Sequence, residues 1–473
     1  MGDALDNRFD SQLERLRKRA QEKRTEGWKL RQLKLRAMRH AFVNRRRQLQ
    51  EALAADLNRP ALETDLLEYL PMLGELDRAI ANVRHWSKPQ KVLTPLALIG
   101  ARSAIVPQPK GLCLILSPWN YPASLSLGPL VSCIAAGNTA VLKPSEFTPA
   151  TNRYLRELIA DVLGPDEVAV IEGGPDVAEG LLVQPLGHIF FTGSPQVGRI
   201  VMAAAAKQPV SVTLELGGKS PAVVLNGANI ADAARKIVWG KFVNSGQTCI
   251  APDYVLAEEA IAGKLKDALA QRIREVYRVE TTEGRPGSDY TAIVTARHAA
   301  RLLEIVEDAR KKGATILTGG NGDSSLRFVA PTLISGVTAD MRAGQEEIFG
   351  PILPVITVKD LDAAIAHVNA SPPPLASYIF SKDKAATDRF IAEAPAGGTC
   401  VNHTLIHFAN EKLPFGGIGP SGIGRSHGKA GFESFSNMRA VMRDRVSPTR
   451  LFFPPYTGRG RALMSAFLTF MRG

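Results

Sequence analysis

The spacing of hydrophobic positions changes along the chain, and this change predicts where helices give way to strands. From about Phe9 to Trp86, leucines and alanines recur at helical intervals among charged residues, a pattern typical of amphipathic helices. The prolines of SKPQKVLTP end this segment, and the alternating apolar residues from Ser103 to Pro109 predict a strand. The chain therefore begins with a helical entry segment.

After this strand, short apolar runs alternate with helical stretches. The first set of runs is GLCLILSP, TAVLKP, EVAVIEG, HIFFTGS and SVTLELGG; the second is SPAVVLN, YVLAEE, ATILTGG, FVAPTLISG, ILPVITV and ASYIFSKD. Strands that are apolar on both faces and alternate with helices indicate parallel sheets covered on both sides. We therefore predict an α/β fold with two α/β domains.

Composition agrees with a globular protein of this kind. The chain has 473 residues, of which 45% are hydrophobic and 22% charged, enough for two or three domains. Its first residues carry charges where a signal peptide would be apolar, and no apolar run approaches the roughly 20 residues that cross a bilayer. We expect a cytoplasmic protein without a transmembrane segment; the first eight residues lie outside the part described structurally below.

The net charge of +12 raises the question of nucleic-acid binding. The basic run RLRKRAQEKR fits the solvated face of an amphipathic helix, and no aromatic residues are interleaved with it. We therefore expect no nucleic-acid partner.

Four cysteines, Cys113, Cys133, Cys249 and Cys400, are scattered without a CxxC pair. This spacing indicates neither a zinc site nor a disulfide framework, so no metal is expected. Each thiol is then either a buried core residue or a nucleophile.

Three segments carry residues suited to carbonyl chemistry. In VNSGQTCIAPDY, Cys249 follows small polar residues. In SVTLELGGKSP, Glu215 ends a predicted strand between leucines, where burial should raise its pKa towards that of a general base. In LSPWNYP, Asn120 offers an amide donor on a rigid turn, suited to an oxyanion. Taken singly, each has a plain structural alternative: a core thiol, a glutamate on a polar strand face, and a turn asparagine.

Several motifs together resemble the aldehyde dehydrogenase superfamily over nearly the whole chain. They are PWNYP, LKPSE, FTGSPQVG, LELGGKSP, GQTCIAPDY, EEIFGP and LPFGGIGPSGIG, in the family's order. PWNYP, the short N-terminal region and CIAPDY are similar to the class-three branch, which includes fatty, aromatic and coniferyl aldehyde dehydrogenases. The resemblance implies a Rossmann-type cofactor domain, an α/β catalytic domain and a small oligomerisation element.

The resemblance also implies roles for the three candidates. Cys249 would attack the aldehyde carbon, Asn120 and the backbone N–H of Cys249 would hold the oxyanion, and Glu215 would activate the water that hydrolyses the thioester. A long-chain aliphatic or aromatic aldehyde is the expected substrate. A CoA-acylating or reductive relative is the alternative enzyme, which the presence of Glu215 disfavours; a non-catalytic binding protein is disfavoured because all three residues are present.

For the cofactor and the substrate mouth, the resemblance assigns four groups of residues. Lys143 and Glu146 would contact the adenosine ribose, and the charge of Glu146 favours NAD while leaving NADP possible. The remaining positions are Gly193, Ser194 and Gly198 at the pyrophosphate, Glu347 and Phe349 at the nicotinamide, and Tyr121 and Phe415 at the substrate and nicotinamide mouth. From the residues alone, the GxxxxG spacing of FTGSPQVG is a weak signal.

The expected domains are residues 1–88 and 110–216 for cofactor binding, 217–403 for the nucleophile, and 89–109 with 404–473 for bridging two subunits, by analogy a homodimer. The apolar and basic tail PTRLFFPPYTGRGRALMSAFLTFMRG could dock in a dimer, form a wall of the substrate entrance or lie weakly on a membrane surface; we expect packing to hold it.

His403 stands where a small acidic or polar residue is expected, and His407 follows four positions later. The pair could tune substrate choice or bind a metal adventitiously, but we expect both to be hydrogen-bonded without a catalytic role.

Overall fold

The computed structural model describes residues 9–277, 289–446 and 448–472. Its helices are, in chain order, α1 (Asp10–Glu22), α2 (Trp28–Asn44), α3 (Arg46–Leu57), α4 (Ala61–Thr64), α5 (Leu70–Trp86), α6 (Ser124–Ala136), α7 (Pro149–Ala160), α8 (Pro175–Leu182), α9 (Pro195–Lys207), α10 (Ile230–Phe242), α11 (Glu259–Tyr277), α12 (Ala296–Lys311), α13 (Arg342–Gln345), α14 (Leu361–Asn369), α15 (Lys384–Glu393), α16 (Gly428–Ser434) and α17 (Gly458–Arg472). The π-helical turn Asp65–Tyr69 joins α4 to α5. The predicted helical entry segment is thus confirmed as a series of helices.

The strands alternate with these helices beyond the entry segment. They are β1 (Gln90–Val92), β2 (Ala101–Pro109), β3 (Leu112–Leu116), β4 (Thr139–Lys143), β5 (Val168–Val170), β6 (His188–Thr192), β7 (Ser211–Glu215), β8 (Pro221–Val224), β9 (Tyr254–Glu258), β10 (Thr315–Thr318), β11 (Gly322–Asp323), β12 (Phe328–Val329), β13 (Thr332–Ser335), β14 (Ile352–Val358), β15 (Ala376–Phe380), β16 (Gly398–Val401), β17 (Gly422–Ile423) and β18 (Ser436–Asp444).

The first sheet has the order β17-β7-β6-β3-β4-β5 and is parallel except for β17. Every residue of β3, β4 and β6 is buried because helices cover both faces. Alternate residues of β3 point to opposite sides: Leu114 packs with α1, α8 and α9, while Ile115 packs with α2, α3 and α5 to α7. This double cover explains the continuous apolar runs in the sequence.

The second sheet has the order β10-β13-β14-β9-β8-β15-β16 and is parallel except for β10. The two parallel sheets confirm the predicted α/β fold. The predicted boundary at residues 216/217 lies between β7 and β8, although β17, from the 404–473 segment, returns to pair with β7 of the first sheet. The domain limits themselves stay a prediction.

A third sheet is antiparallel, with the order β1-β2-β18. The tail beyond it forms α17, but the expectation that packing holds this tail is wrong for the single chain. From Arg450 to Met471, every residue is exposed except the half-buried Phe452 and Phe467 and the buried Gly460. Within the described ranges, none of the helices has both the length and the apolar character needed to cross a bilayer.

Candidate active site

The loop that carries Cys249 has an unusual backbone. Asn244, Ser245 and Gly246 all have left-handed conformations, with φ of 52°, 52° and 72°. The side chain of Gln247 holds the loop by donating to the carbonyl oxygens of Asn244 and Ala292, both at 3.0 Å. Local hydrogen bonds thus maintain a strained turn just before the candidate nucleophile.

Cys249 is a half-buried free thiol on the wall of an apolar cavity. Burial raises the pKa of this thiol to about 12, with smaller contributions from the negative charges of Glu347 and Glu215. Hydrogen bonds from the backbone N–H groups of Cys249 and Ile250 oppose this rise. At neutral pH the thiol is therefore protonated, and its attack on a carbonyl requires a nearby proton acceptor.

Glu215 lies at the carboxyl end of β7 and is buried. Its Oε1 accepts a hydrogen bond from Ser426 Oγ at 2.9 Å, whereas its Oε2 has no hydrogen-bond partner among the described residues. Burial raises the pKa of Glu215 to about 8, the direction expected from sequence, while Ser426 and the charge of Arg425 oppose the shift. A carboxyl group with a pKa in this range can exchange protons near neutral pH.

Asn120 is buried beside the nucleophile loop. Its Nδ2 donates to the carbonyl oxygen of Gln247 at 3.0 Å, two residues before Cys249. The next residue, Tyr121, shares a hydrogen bond of 2.6 Å with Thr248 Oγ1. The turn after β3 and the nucleophile loop are therefore in direct contact, which brings the predicted oxyanion donor to the predicted nucleophile.

The cavity above Cys249 has a volume of about 220 Å³. Aliphatic and aromatic side chains form most of its wall, among them Leu67, Met72, Leu125, Trp239, Ile250, Leu405, Phe408 and Phe415. Tyr121, Glu215 and Cys249 line the same cavity. The space next to the thiol is therefore suited to an apolar molecule.

Sequence reasoning missed Ser426, His427 and Glu75 in this wall. The His427 ring stacks on Phe415 with centroids 5.1 Å apart, and burial lowers the pKa of His427 to about 4. Glu75 accepts hydrogen bonds from the backbone N–H of Gly428, and burial raises its pKa to about 7. An acidic residue on the apolar face of α5, near Met72 and Ala79, was the available signal for Glu75.

Histidines 403 and 407 behave differently from each other. His403 Nδ1 accepts from the backbone N–H of Thr404 at 2.9 Å, as expected of a hydrogen-bonded histidine. The same expectation is wrong for His407, because neither ring nitrogen has a partner in the described part of the chain. Its ring instead lies among Tyr378 and Phe415, and burial lowers its pKa to about 4, so it is neutral at physiological pH.

The residues predicted to bind the adenosine ribose and the pyrophosphate lie at or just after the carboxyl ends of β4 and β6, which belong to the same sheet as β3 and β7. In parallel sheets this edge is where nucleotides bind. Lys143 is buried at the end of β4, donates to the carbonyl oxygen of Pro144 at 3.0 Å and lies 3.6 Å from Glu146. Since an ammonium group has three donors, Lys143 keeps donors for a ligand hydroxyl.

The turn from β6 into α9 has the close packing that an approaching phosphate needs. Ser194 caps α9, its Oγ accepting from the N–H of Val197. A Cβ at Gly198 would lie 2.7 Å from Leu216 Cδ2, so only glycine lets α9 approach this closely. The partial positive charge at the start of this helix favours an anion.

Glu347 and Phe349 connect the cofactor edge to the nucleophile. A Cβ on Gly217 would collide with the Glu347 carboxylate, which places Glu347 directly against the segment that follows Glu215. Burial raises the pKa of Glu347 to about 7, with a contribution from Asp253. Phe349, at φ 50°, packs edge-on against Trp119 with centroids 5.5 Å apart. The predicted nicotinamide positions thus border the catalytic candidates.

Comparison with known proteins agrees with this geometry. Residues 6–441 match the Aldehyde dehydrogenase family. The chain is 42% identical over 418 residues to the 4,4'-diaponeurosporen-aldehyde dehydrogenase of Staphylococcus aureus, covering 88% of this chain and 90% of that protein. It is 42% identical over 424 residues to a probable coniferyl aldehyde dehydrogenase of Pseudomonas aeruginosa, covering 89% of this chain and 88% of that one.

Among solved structures, the substrate-bound state of Staphylococcus aureus AldH superposes with a TM-score of 0.92 at 39% identity, covering 98% of this chain and 100% of the other. The match therefore includes the helical entry segment as well as the two parallel sheets. The chain belongs to the aldehyde dehydrogenase family and is an oxidoreductase that acts on aldehydes.

Proposed function

We propose that this enzyme oxidises long-chain aliphatic or aromatic aldehydes to carboxylates, with NAD as its preferred electron acceptor. The apolar cavity that opens onto Cys249 carries this proposal, because its wall offers few groups to a charged semialdehyde. The names of the two bacterial relatives, for coniferyl and 4,4'-diaponeurosporen-aldehyde, support the same substrate class.

The site geometry supports the following catalytic roles. The Cys249 sulfur attacks the aldehyde carbon, and the oxyanion is held by the Asn120 amide and the backbone N–H of Cys249. Glu347 and Glu215, with pKa values of about 7 and about 8, are the neighbouring groups that can take the thiol proton. Bound NAD(P) would supply the hydride acceptor that conversion of the thiohemiacetal to a thioester requires.

Glu215 then acts on water. Its unpartnered Oε2 takes a proton as the water oxygen attacks the thioester carbon, the C–S bond breaks, and the sulfur leaves as a thiolate that regains a proton. The products are the carboxylate and the reduced cofactor. This use of water distinguishes the enzyme from a CoA-acylating relative.

For the cofactor, we assign Lys143 and Glu146 to the adenosine ribose and the turn of Gly193, Ser194 and Gly198 to the pyrophosphate. The donors of buried Lys143 and the start of α9 support these assignments. Glu347 and Phe349 would contact the nicotinamide half. Negative charge on Glu146 opposes a 2′-phosphate, which favours NAD over NADP.

The direct test is absorbance of reduced nicotinamide, with purified enzyme offered NAD or NADP and aldehydes of graded length and charge. We expect efficient oxidation of long-chain and aromatic aldehydes and no turnover by Cys249→Ala, which should still bind NAD. Turnover by that variant would identify another nucleophile. Preference for short charged semialdehydes would overturn the substrate assignment, and a requirement for CoA would overturn hydrolysis.

We further propose that the functional unit is a cytoplasmic homodimer. Apolar side chains are exposed beside the third sheet and in the tail, among them Leu93 (94%), Val446 (76%), Tyr456 (68%) and Phe470 (70%). Burial of this surface against a second copy would be favourable. Sedimentation of the full chain and of a chain that ends at Tyr456 tests the dimer: we expect the full chain to sediment as a dimer. A full chain that is monomeric and binds anionic vesicles through its tail would favour a membrane-surface role.

A further inference from the structure

A buried arginine, Arg59, joins the helical entry segment to both halves of the active site. It follows Asn58, a left-handed residue that ends α3, and its side chain is fully buried. Its Nη2 donates to the backbone carbonyl oxygen of Asn120 at 2.5 Å and to Oδ1 of Asn244 at 2.6 Å. One guanidinium nitrogen thus contacts the predicted oxyanion turn and the nucleophile loop at once.

The other end of the guanidinium is paired with Glu68, which is also fully buried. The second carboxylate oxygen of Glu68 accepts hydrogen bonds from the backbone N–H groups of Ala123 and Ser124, at 2.9 and 2.8 Å, where α6 begins. The segment from Asn120 to Ser124 is therefore held at its start by Arg59 and at its end by Glu68.

Asn244 completes the connection. Its Nδ2 donates to the carbonyl oxygens of Asn120 and Gln247, at 3.0 and 3.1 Å, and Asn120 Nδ2 donates to the same Gln247 oxygen. The side-chain amide of Asn120 has two N–H groups, and one of them donates to the carbonyl oxygen of Gln247. The direction in which the second N–H of Asn120 points depends on where Arg59 holds the Asn120 backbone.

We propose that Arg59 is a positioning residue for the oxyanion-binding group, fixing Asn120 against the loop that carries Cys249. The inference rests on the roles proposed above for Asn120 and Cys249. A planar guanidinium can hold two acceptors in a fixed relative geometry while it pairs with a carboxylate, and a lysine ammonium cannot reproduce that fork. Because desolvation offsets the attraction in a buried ion pair, the Arg59–Glu68 pair contributes little net stability, but it holds its hydrogen-bond partners in a fixed orientation.

Arg31 provides a matched comparison. It is also buried, and it donates to the carbonyl oxygens of Ala135 and Ala136 at the end of α6 and to that of Glu26. None of these acceptors belongs to the proposed catalytic groups. Replacement of Arg31 by lysine should therefore disturb a buried arginine without moving the oxyanion turn.

The test compares Arg59→Lys with Arg31→Lys. For Arg59→Lys we expect the pre-steady-state burst of reduced cofactor to slow by about 10²-fold, since a displacement of about 1 Å in a catalytic group has that effect. The dissociation constant for NAD should not change. Arg31→Lys should have the burst rate of the parent enzyme, although its melting temperature should fall about as much as that of Arg59→Lys. Equal loss of rate in both variants, or a normal burst in Arg59→Lys, would overturn the proposal.

A double-mutant cycle separates positioning from general destabilisation. If Arg59 acts through Asn120, then Arg59→Lys should add little to the rate loss of Asn120→Ala, whereas independent effects would multiply and refute the inference. A normal rate for Asn120→Ala alone would instead refute the oxyanion role itself. Should Arg59→Lys not fold, Asn244→Gly keeps the left-handed backbone and removes the side-chain link; it too should slow the burst, and a normal burst would overturn the proposal.

Discussion

Ser426 holds only one of the two oxygens of the Glu215 carboxylate. Its hydroxyl donates to Oε1 at 2.9 Å, and the strand-like pairing of Ser426 with the backbone of Phe415 fixes the position of this hydroxyl. Oε2 is left without a partner among the described residues. The arrangement orients the carboxylate while leaving one oxygen for a water molecule.

Removal of the Ser426 hydroxyl should therefore shift the pH dependence of hydrolysis. The hydrogen bond stabilises the charged form of Glu215 and opposes the effect of burial, which raises its pKa to about 8. Without it the pKa rises further, by about 1 unit for a hydrogen bond of roughly 1.5 kcal/mol to a charged group. In Ser426→Ala, the hydrolysis rate should thus reach its plateau at higher pH than in the parent enzyme.

The measurement is the pH profile of steady-state oxidation under conditions in which thioester hydrolysis limits the rate. Ser426→Thr keeps a hydroxyl and should restore the parent profile. If Ser426→Ala has the same midpoint as the parent enzyme, the hydroxyl does not tune Glu215.

Glu215→Gln tests the base directly. The amide has nearly the same shape but cannot take a proton from water, so hydride transfer should proceed once and the thioester should then persist. We expect a burst of reduced cofactor close to one equivalent per site, followed by turnover slower by about 10²-fold or more. Mass spectrometry of the quenched enzyme should show an acyl group on Cys249. A normal steady state would assign the base to another residue.

Sequence patterns predicted the strands of both sheets except β16 and β17, because strands such as β3 and β6 are buried on both faces and leave continuous apolar runs. Motifs likewise indicated Cys249, Glu215 and Asn120, since each sits in a short segment with its own signal. The structure places Cys249 and Glu215 on the wall of one cavity and Asn120 beside the loop that carries Cys249.

The residues that sequence reasoning missed depend on contacts between distant segments. Ser426 and Glu215 are 211 positions apart, and Arg59 and Asn244 are 185 apart. An arginine near helical turns has the same local pattern whether it is solvated or fully buried. The tail was misjudged for a related reason, because apolar composition alone does not say whether an apolar helix is covered within its own chain.

Asn120→Ala should slow the formation of reduced cofactor by about 10²-fold, because one donor to the developing oxyanion is lost. The effect should appear in the burst rate as well as in kcat, since thiohemiacetal formation precedes hydride transfer. Its melting temperature and NAD affinity give the controls. A burst as fast as that of the parent enzyme would mean that backbone N–H groups alone hold the oxyanion.

Glu146→Gln should increase the use of NADP relative to NAD. Glu146 follows β4, is exposed and lies 3.6 Å from Lys143. With Glu146 at the adenosine ribose, as proposed above, its charge would repel a 2′-phosphate. Removing about 1 to 2 kcal/mol of repulsion would raise kcat/KM for NADP about 10-fold over that for NAD. Glu157→Gln, on the exposed face of α7, is the control for a change in net charge. An unchanged ratio would place Glu146 away from the 2′ position.

The nucleophile loop should be less tolerant of added volume than its backbone conformation alone suggests. Gly246 and Gly227 both have left-handed φ, of 72° and 85°, so alanine at either position incurs conformational strain of about 1 kcal/mol. A Cβ at Gly227 meets nothing within 4 Å, whereas one at Gly246 would collide with the carbonyl oxygen of Gly350.

Gly246→Ala must therefore displace backbone on one side or the other, for an additional cost of about 2 kcal/mol. We expect chemical denaturation to show a loss of about 1 kcal/mol for Gly227→Ala and about 3 kcal/mol for Gly246→Ala. Only Gly246→Ala should also slow the burst, because the displaced loop carries Cys249. Equal stabilities for the two variants would show that the loop can relax without strain, and a normal burst in Gly246→Ala would show that the position of Cys249 does not depend on this turn.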